Sequence, residues 1–208
     1  MNNSIKHVSD IVFTPAVKAL QSRMGSRSAY ARMENGSGWQ SIITKELKFF
    51  IEAQVSIFLA TANAEGQPYI QHRGGPAGFL RVLDEHTIAF ADFAGNRQFI
   101  SQGNLSENAK AQLFLIDYAQ QQRVKIWGEA TVIEEDPALL STLMPDDYKA
   151  RAERVMMFKV TAWDANCHQH IPVRYEAAYV DAEIERRDQR IRQLEKEIRQ
   201  LQPDQNHI

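Results

Sequence analysis

Three runs decide how this chain folds: Pro68-Tyr-Ile-Gln-His-Arg73-Gly-Gly-Pro-Ala-Gly78-Phe79, then Thr87-Ile-Ala-Phe-Ala-Asp92-Phe93, then Gly95-Asn-Arg97-Gln-Phe-Ile-Ser101-Gln-Gly-Asn104. An arginine closes one extended segment where it meets a glycine-rich turn, and a second arginine follows a Gly-Asn pair. The spacing predicts a helix over 97–107 with Asn96 as its N-cap, so that free N–H groups of the first turn stand beside Arg97. Such an end, with its positive dipole and a guanidinium, suits a phosphate. On spacing alone, a hairpin turn followed by a surface helix with two solvated arginines is the commoner outcome.

Outward from these runs, seven segments read as extended. Ser56 to Asn63 is short and continuously apolar, and Asn63-Ala-Glu-Gly66 turns the chain into a second segment ending near Arg73. There Tyr69, Gln71 and Arg73 share one face, Ile70 and His72 the other. Phe79–Leu83 and His86–Phe93 follow, joined at Asp84-Glu85, and Ala111–Asp117 is strongly apolar. In Arg123–Glu134, Val124, Ile126, Gly128, Ala130 and Val132 alternate with Arg123, Lys125, Trp127 and Glu129, the pattern of a barrel strand with an apolar inside and a basic, aromatic outside. Val155–Trp163 is the last. Helices are expected from Thr14-Pro15 (Val17, Leu20 and Met24 on one face, Gly25 as the stop), over Ser41–Gln54, and from Asp136-Pro137. Arg27 and Arg32 read as solvated side chains, with a ligand phosphate as the rival reading.

The pieces from Glu46 to Glu134 resemble the pyridoxamine 5′-phosphate oxidase-like flavoproteins. They are Phe50-Ile-Glu-Ala-Gln-Val-Ser-Ile-Phe-Leu-Ala-Thr61-Ala, Gly66-Gln-Pro-Tyr, Arg73-Gly-Gly-Pro-x-Gly-Phe, Gly95-Asn-Arg97, Gly103-Asn-Leu and Arg123-Val-Lys-Ile-x-Gly128, in family order over about half of the chain. The resemblance implies a mainly β, α+β fold: a six-stranded antiparallel split β-barrel, N-terminal helices and a long C-terminal helix. It also implies FMN held at the interface of a homodimer. Arg73, Asn96, Arg97 and Gln98 align with phosphate and ribityl contacts, with Gly74 and Ser101 beside them. Arg123 aligns with a contact further along FMN, and Gln169 and His170 are candidates from a second subunit. The family's oxidases commonly carry a lysine where this chain has Gly78, and a second basic residue where it has Gln98. Pyridoxamine phosphate is therefore a poor candidate substrate, and no residue is assigned as catalytic.

Composition bounds the rest. With 208 residues, 44% hydrophobic, 24% charged and a formal charge of −2, the chain reads as an ordinary globular protein without a polyelectrolyte surface for nucleic acid. The absence of a signal-like apolar run and a single cysteine, Cys167, point to the cytoplasm. The organisation expected is an N-terminal helical extension over 1–40, a flavin-binding barrel over 41–175, and a C-terminal helix and tail over 176–208. In that helix Ile184, Ile191, Leu194, Ile198 and Leu201 keep heptad spacing, broken at Arg187. Fewer than three good heptads suggest packing along the barrel or a partner. The polar run Trp163–Arg174 holds Cys167, His168 and His170, too close together for a closed tetrahedral metal site; a cysteine–histidine pair stays open. Two functions fit: an FMN-dependent oxidoreductase acting on a small molecule, or a binding protein on the same barrel carrying flavin, or haem through His72, His168 or His170.

Overall fold

The computed structural model describes residues 7–36, 38–166 and 169–201. Its centre is one antiparallel sheet of seven strands rather than six, one for each extended segment of the sequence. They are β1 (Ser56–Ala62), β2 (Pro68–Gly74), β3 (Leu80–Asp84), β4 (Thr87–Phe93), β5 (Lys110–Asp117), β6 (Gln122–Ile133) and β7 (Ala152–Asn166), in the spatial order β2-β1-β5-β6-β7-β4-β3. The two long strands, β6 and β7, form the spine, and the sheet curls from them into a split barrel.

Period-2 alternation fills the interior. Ile57 and Leu59 of β1, Leu113 and Leu115 of β5, Val124, Ile126 and Ala130 of β6, and Phe158 and Val160 of β7 all point inward, with Phe79, Leu80, Ile88 and Phe90 closing the far side. Strand β4 is buried on both faces, because Ala89 and Ala91 pack outward under α5 (Pro137–Leu143) with Leu143 and Val155. Asp136 caps that helix by accepting from the Leu139 N–H at 2.8 Å, as its sequence predicts.

Helix α3 (Lys45–Glu52) begins four residues later than Ser41, at the Thr44 cap, whose Oγ1 accepts from Leu47 N–H. Its Leu47 and Ile51 plug one end of the barrel. It also covers the free edge of β3: Val82 N–H donates to the Glu52 carboxylate at 3.1 Å, and Lys48 Nζ donates to the Val82 carbonyl at 3.1 Å. An edge whose backbone groups are taken by side chains cannot template another strand.

The N-terminal segment carries α1 (Pro15–Arg23), capped by Thr14 and ended at Gly25, and α2 (Arg27–Asn35). Arg27 is not solvated: it is paired with Glu34 and also donates to Gln21 Oε1 at 2.7 Å. The segment is fastened to the barrel by Trp39, whose ring stacks on Trp127 of β6 at 4.6 Å and 14°. The outer aromatic of β6 is therefore covered by the chain's own N-terminal segment. Helix α6 (Ala177–Leu201) buries no residue, so its expected packing along the barrel does not occur.

Candidate functional site

The site lies where the split barrel closes on itself. Strands β2 and β4 are not hydrogen-bonded neighbours, yet Arg73 on β2 reaches Asp92 on β4 at 2.5 Å. Alternation along β2 aims Tyr69, Gln71 and Arg73 at this seam and leaves Ile70 and His72 facing out. From β7, Arg154 approaches the other Asp92 oxygen at 3.5 Å and donates to Glu153 at 2.6 Å and to Gln102. One carboxylate is thus held between two guanidiniums that arrive from strands 81 residues apart in sequence. Burial pushes the Asp92 carboxyl up from its ordinary 3.8; Arg73 and Arg154 pull it down, and the neighbouring Glu153 adds to the rise. Glu153 itself is held low by donation from Arg151 and Arg154.

The loop after β4 forms the other wall, and it differs from the sequence expectation. Helix α4 spans Ile100–Glu107 and starts three residues beyond Arg97. Asn96 does not cap it; its side chain closes a local turn by accepting from Gln98 N–H at 3.2 Å. Two non-glycine residues, Arg97 (φ 59°) and Phe99 (φ 54°), sit in the left-handed region. Each such conformation costs about 1–3 kcal/mol, and such residues gather at functional sites. The twisted loop brings the Phe99 ring near two cations, with the Arg97 guanidinium 5.8 Å and that of Arg154 5.1 Å from its centroid. Ser101 is buried at the start of α4 and donates to Gln71 Oε1 at 2.8 Å.

Arg73, Asn96, Arg97, Gln98 and Ser101 therefore line one pocket, open to solvent on one side. Gly74 borders the adjoining cleft with Arg73 and Asp92. Arg123, Gln169 and His170 are not brought there. Arg123 sits at the start of β6 in register with Ile116 and Asn166. Gln169 and His170 are exposed, beside the buried Ile171. Cys167 and His168, weighed above as metal or nucleophile candidates, lie outside the described residues. Sequence reasoning missed Asp92, Arg154, Gln71 and Gln102 as site residues. The alternation of β2 could have supplied Gln71, which shares the face of Arg73.

The donor set fits a phosphate-bearing ligand. Arg73 Nε is buried and has no hydrogen-bond partner among the described residues. Arg97 has no ion-pair partner among them either. A buried N–H left unmade costs about 1–3 kcal/mol, and an anionic oxygen would satisfy it.

These features define a class: a split β-barrel with an arginine-lined pocket at its seam. A sequence profile described as pyridoxamine 5′-phosphate oxidase matches residues 43–168, and the chain belongs to that family. Among solved structures it is similar to HupZ of Group A Streptococcus, with 19% identity, 64% of this chain and 100% of that chain covered, and a TM-score of 0.49. A putative pyridoxamine 5′-phosphate oxidase from Lactobacillus delbrueckii matches at 18% identity, covering 60% of this chain and 95% of that one, with a TM-score of 0.47. An FMN-binding protein from Syntrophomonas wolfei matches at 12% identity, 70% and 97% coverage, and a TM-score of 0.48. No curated protein matches the chain.

Proposed function

We propose that this protein binds FMN and works as a flavin-dependent oxidoreductase on a small molecule. The observation that carries the reading is the buried, unpartnered Arg73 Nε at a pocket that Arg97, Gln98 and Ser101 also line. Arg73 and Arg97 would hold the phosphate by charge-assisted bonds, with Ser101, Asn96 and Gln98 beside them. FMN, when bound, supplies the electron-carrying ring; the chain's residues bind and orient it and set its electrostatic surroundings. Within one chain Arg123, Gln169 and His170 lie outside the pocket, which favours a homodimer whose second subunit completes the far end of the site. Fewer basic residues at the positions of Gly78 and Gln98 turn the reading away from pyridoxamine phosphate as the substrate.

The test is the ligand itself. Heat-released ligand from protein purified under flavin-replete conditions should have the mass of FMN, and the protein should be yellow. FAD, haem or an empty protein would each overturn the reading, haem in favour of the binding-protein alternative. On the apoprotein, Arg97→Ala should lower FMN affinity about ten- to a hundredfold, the loss of one bond to a charged group. Arg32→Ala, on the exposed face of α2, should leave it unchanged. Equal affinities for the two variants would remove Arg97 from the site.

A further inference from the structure

Helix α6 runs for 25 residues with nothing buried, yet its apolar residues fall on one line. Ala177, Val180, Ile184, Ile191, Leu194, Ile198 and Leu201 occupy alternating steps of three and four, with Arg187 in the remaining place. Ile184, Ile191 and Ile198 are 50%, 49% and 53% exposed, and Leu201 80%. The ion pairs within the helix, Arg186–Glu183 and Arg192–Glu185, run along its flank and outer face and leave this line clear. Arg187 and Asp188 have no ion-pair partner among the described residues.

We propose that α6 is the dimerisation strap of this protein: two copies wind into a parallel, in-register, two-stranded coiled coil along that line. Isoleucine falls at position a (184, 191, 198) and leucine at d (194, 201), the combination that favours two parallel strands. The flanking charges select the orientation. Position e is acidic throughout, at Asp181, Asp188 and Glu195, so an antiparallel pair, which sets e against e, would line up like charges. In the parallel pair Arg190 at g faces Glu195 at e of the second copy. The two Arg187 side chains meet in one d layer, where Glu183 at g also faces Asp188 at e of the second copy, and the guanidiniums stand between these like-charged carboxylates. A charged residue at a single core position lowers stability and fixes register. Arg187 makes slipped alignments costly, because a slip of one heptad would bury it against Val180 or Leu194. The strap stands apart from the flavin site and does not depend on it.

Single cysteines in the full chain, with Cys167→Ser as background, test orientation and register together. Under mild oxidation Ile184→Cys and Ile198→Cys should each form a covalent homodimer, roughly tenfold or more faster than Gln189→Cys on the outer face, since disulfides require Cβ atoms within about 4.5 Å. The helix ends can each meet their own copy only in a parallel, aligned pair. Linkage at one of the two positions only, at neither, or equally at Gln189→Cys would overturn the proposal. Flavin absorbance measured on the same samples keeps the two readings separate: FMN-loaded protein without crosslinks sinks the strap alone, and crosslinked protein without flavin sinks the flavin reading alone. Arg187→Glu in the Ile184→Cys protein, which puts a carboxylate among carboxylates, should abolish the link, and Arg187→Leu should preserve it.

Discussion

Asp92 is the residue on which the pocket's electrostatics turn. Its side chain is 13% exposed and stands between Arg73 and Arg154, so it offsets part of the charge both bring to the pocket. Because burial raises its folded-state pKa above the ordinary 3.8, the folded protein holds this proton more tightly than the unfolded chain. Stability linked to Asp92 is therefore fully present below the ordinary value and is lost as pH rises through the raised one. Asp92→Asn cannot titrate. Thermal unfolding of the two proteins across the pH range above 3.8 should show the wild type losing ground to Asp92→Asn as pH rises. A gap that stays flat would show that the two arginines offset burial, and a wild type that gains would show that they outweigh it. The position of Arg73 beside a glycine turn was legible in the sequence; its partner was not, because nothing in the order of residues says that β2 and β4 meet across the seam.

At the scale of elements, β6 shows how tightly the spine is built. Gly128 sits at a register shift between β6 and β7, and a Cβ there would lie 2.1 Å from the Lys159 carbonyl oxygen and 2.6 Å from the Phe158 ring. The obstacle is backbone, so it cannot swing aside. Gly128→Ala should destabilise the fold by about 1–3 kcal/mol or more through overpacking. Gly103 in α4 meets nothing within 4 Å. Gly103→Ala should be neutral or stabilise by up to ~1 kcal/mol, the helix preference of alanine over glycine. Urea midpoints of the two variants check both signs, and equal midpoints would contradict the packing at Gly128. Helix α4 shows the limit of local rules: Asn96 has the chemistry of a cap, but the strained turn at Arg97 and Phe99 moves the start of the helix to Ile100.

For the molecule as a whole, the stacked indoles of Trp39 and Trp127 are one of the contacts that hold the N-terminal segment to the barrel. Phe13 adds to it, its ring 5.3 Å from both Tyr30 and Trp39. Aromatic pairs contribute about 0.5–1.5 kcal/mol beyond the area they bury. Trp39→Ala should therefore speed limited proteolysis within residues 7–36 while the barrel core stays protected, since Ile57, Leu113 and Ile126 owe nothing to that contact. Unchanged cleavage would mean that the Trp163 Nε1 bond to the Ile42 carbonyl, 2.8 Å, and the Gln40–Trp163 bridge hold the segment by themselves. Among the described residues no helix is long and apolar enough to cross a membrane.

What the sequence determined by itself is what neighbours within one or two turns decide. The alternation of Val124, Ile126, Gly128 and Ala130, the caps at Thr14 and Asp136, the stop at Gly25 and the heptad line of α6 each follow from the 2.0 and 3.6 periods and from the few groups that can satisfy an open helix end. The gathering of Arg73, Arg97 and Ser101 was implied by the family resemblance alone, because their spacing by itself left the two arginines as solvated surface groups. Only the tertiary structure decided that Arg154 joins them from β7, that Asp92 holds Arg73, and that Trp39 rather than the C-terminal helix covers Trp127. Those contacts form when the curled sheet closes and brings together strands that no local rule relates. The free energy that fixes them comes from burial of the whole core and not from the residues that touch.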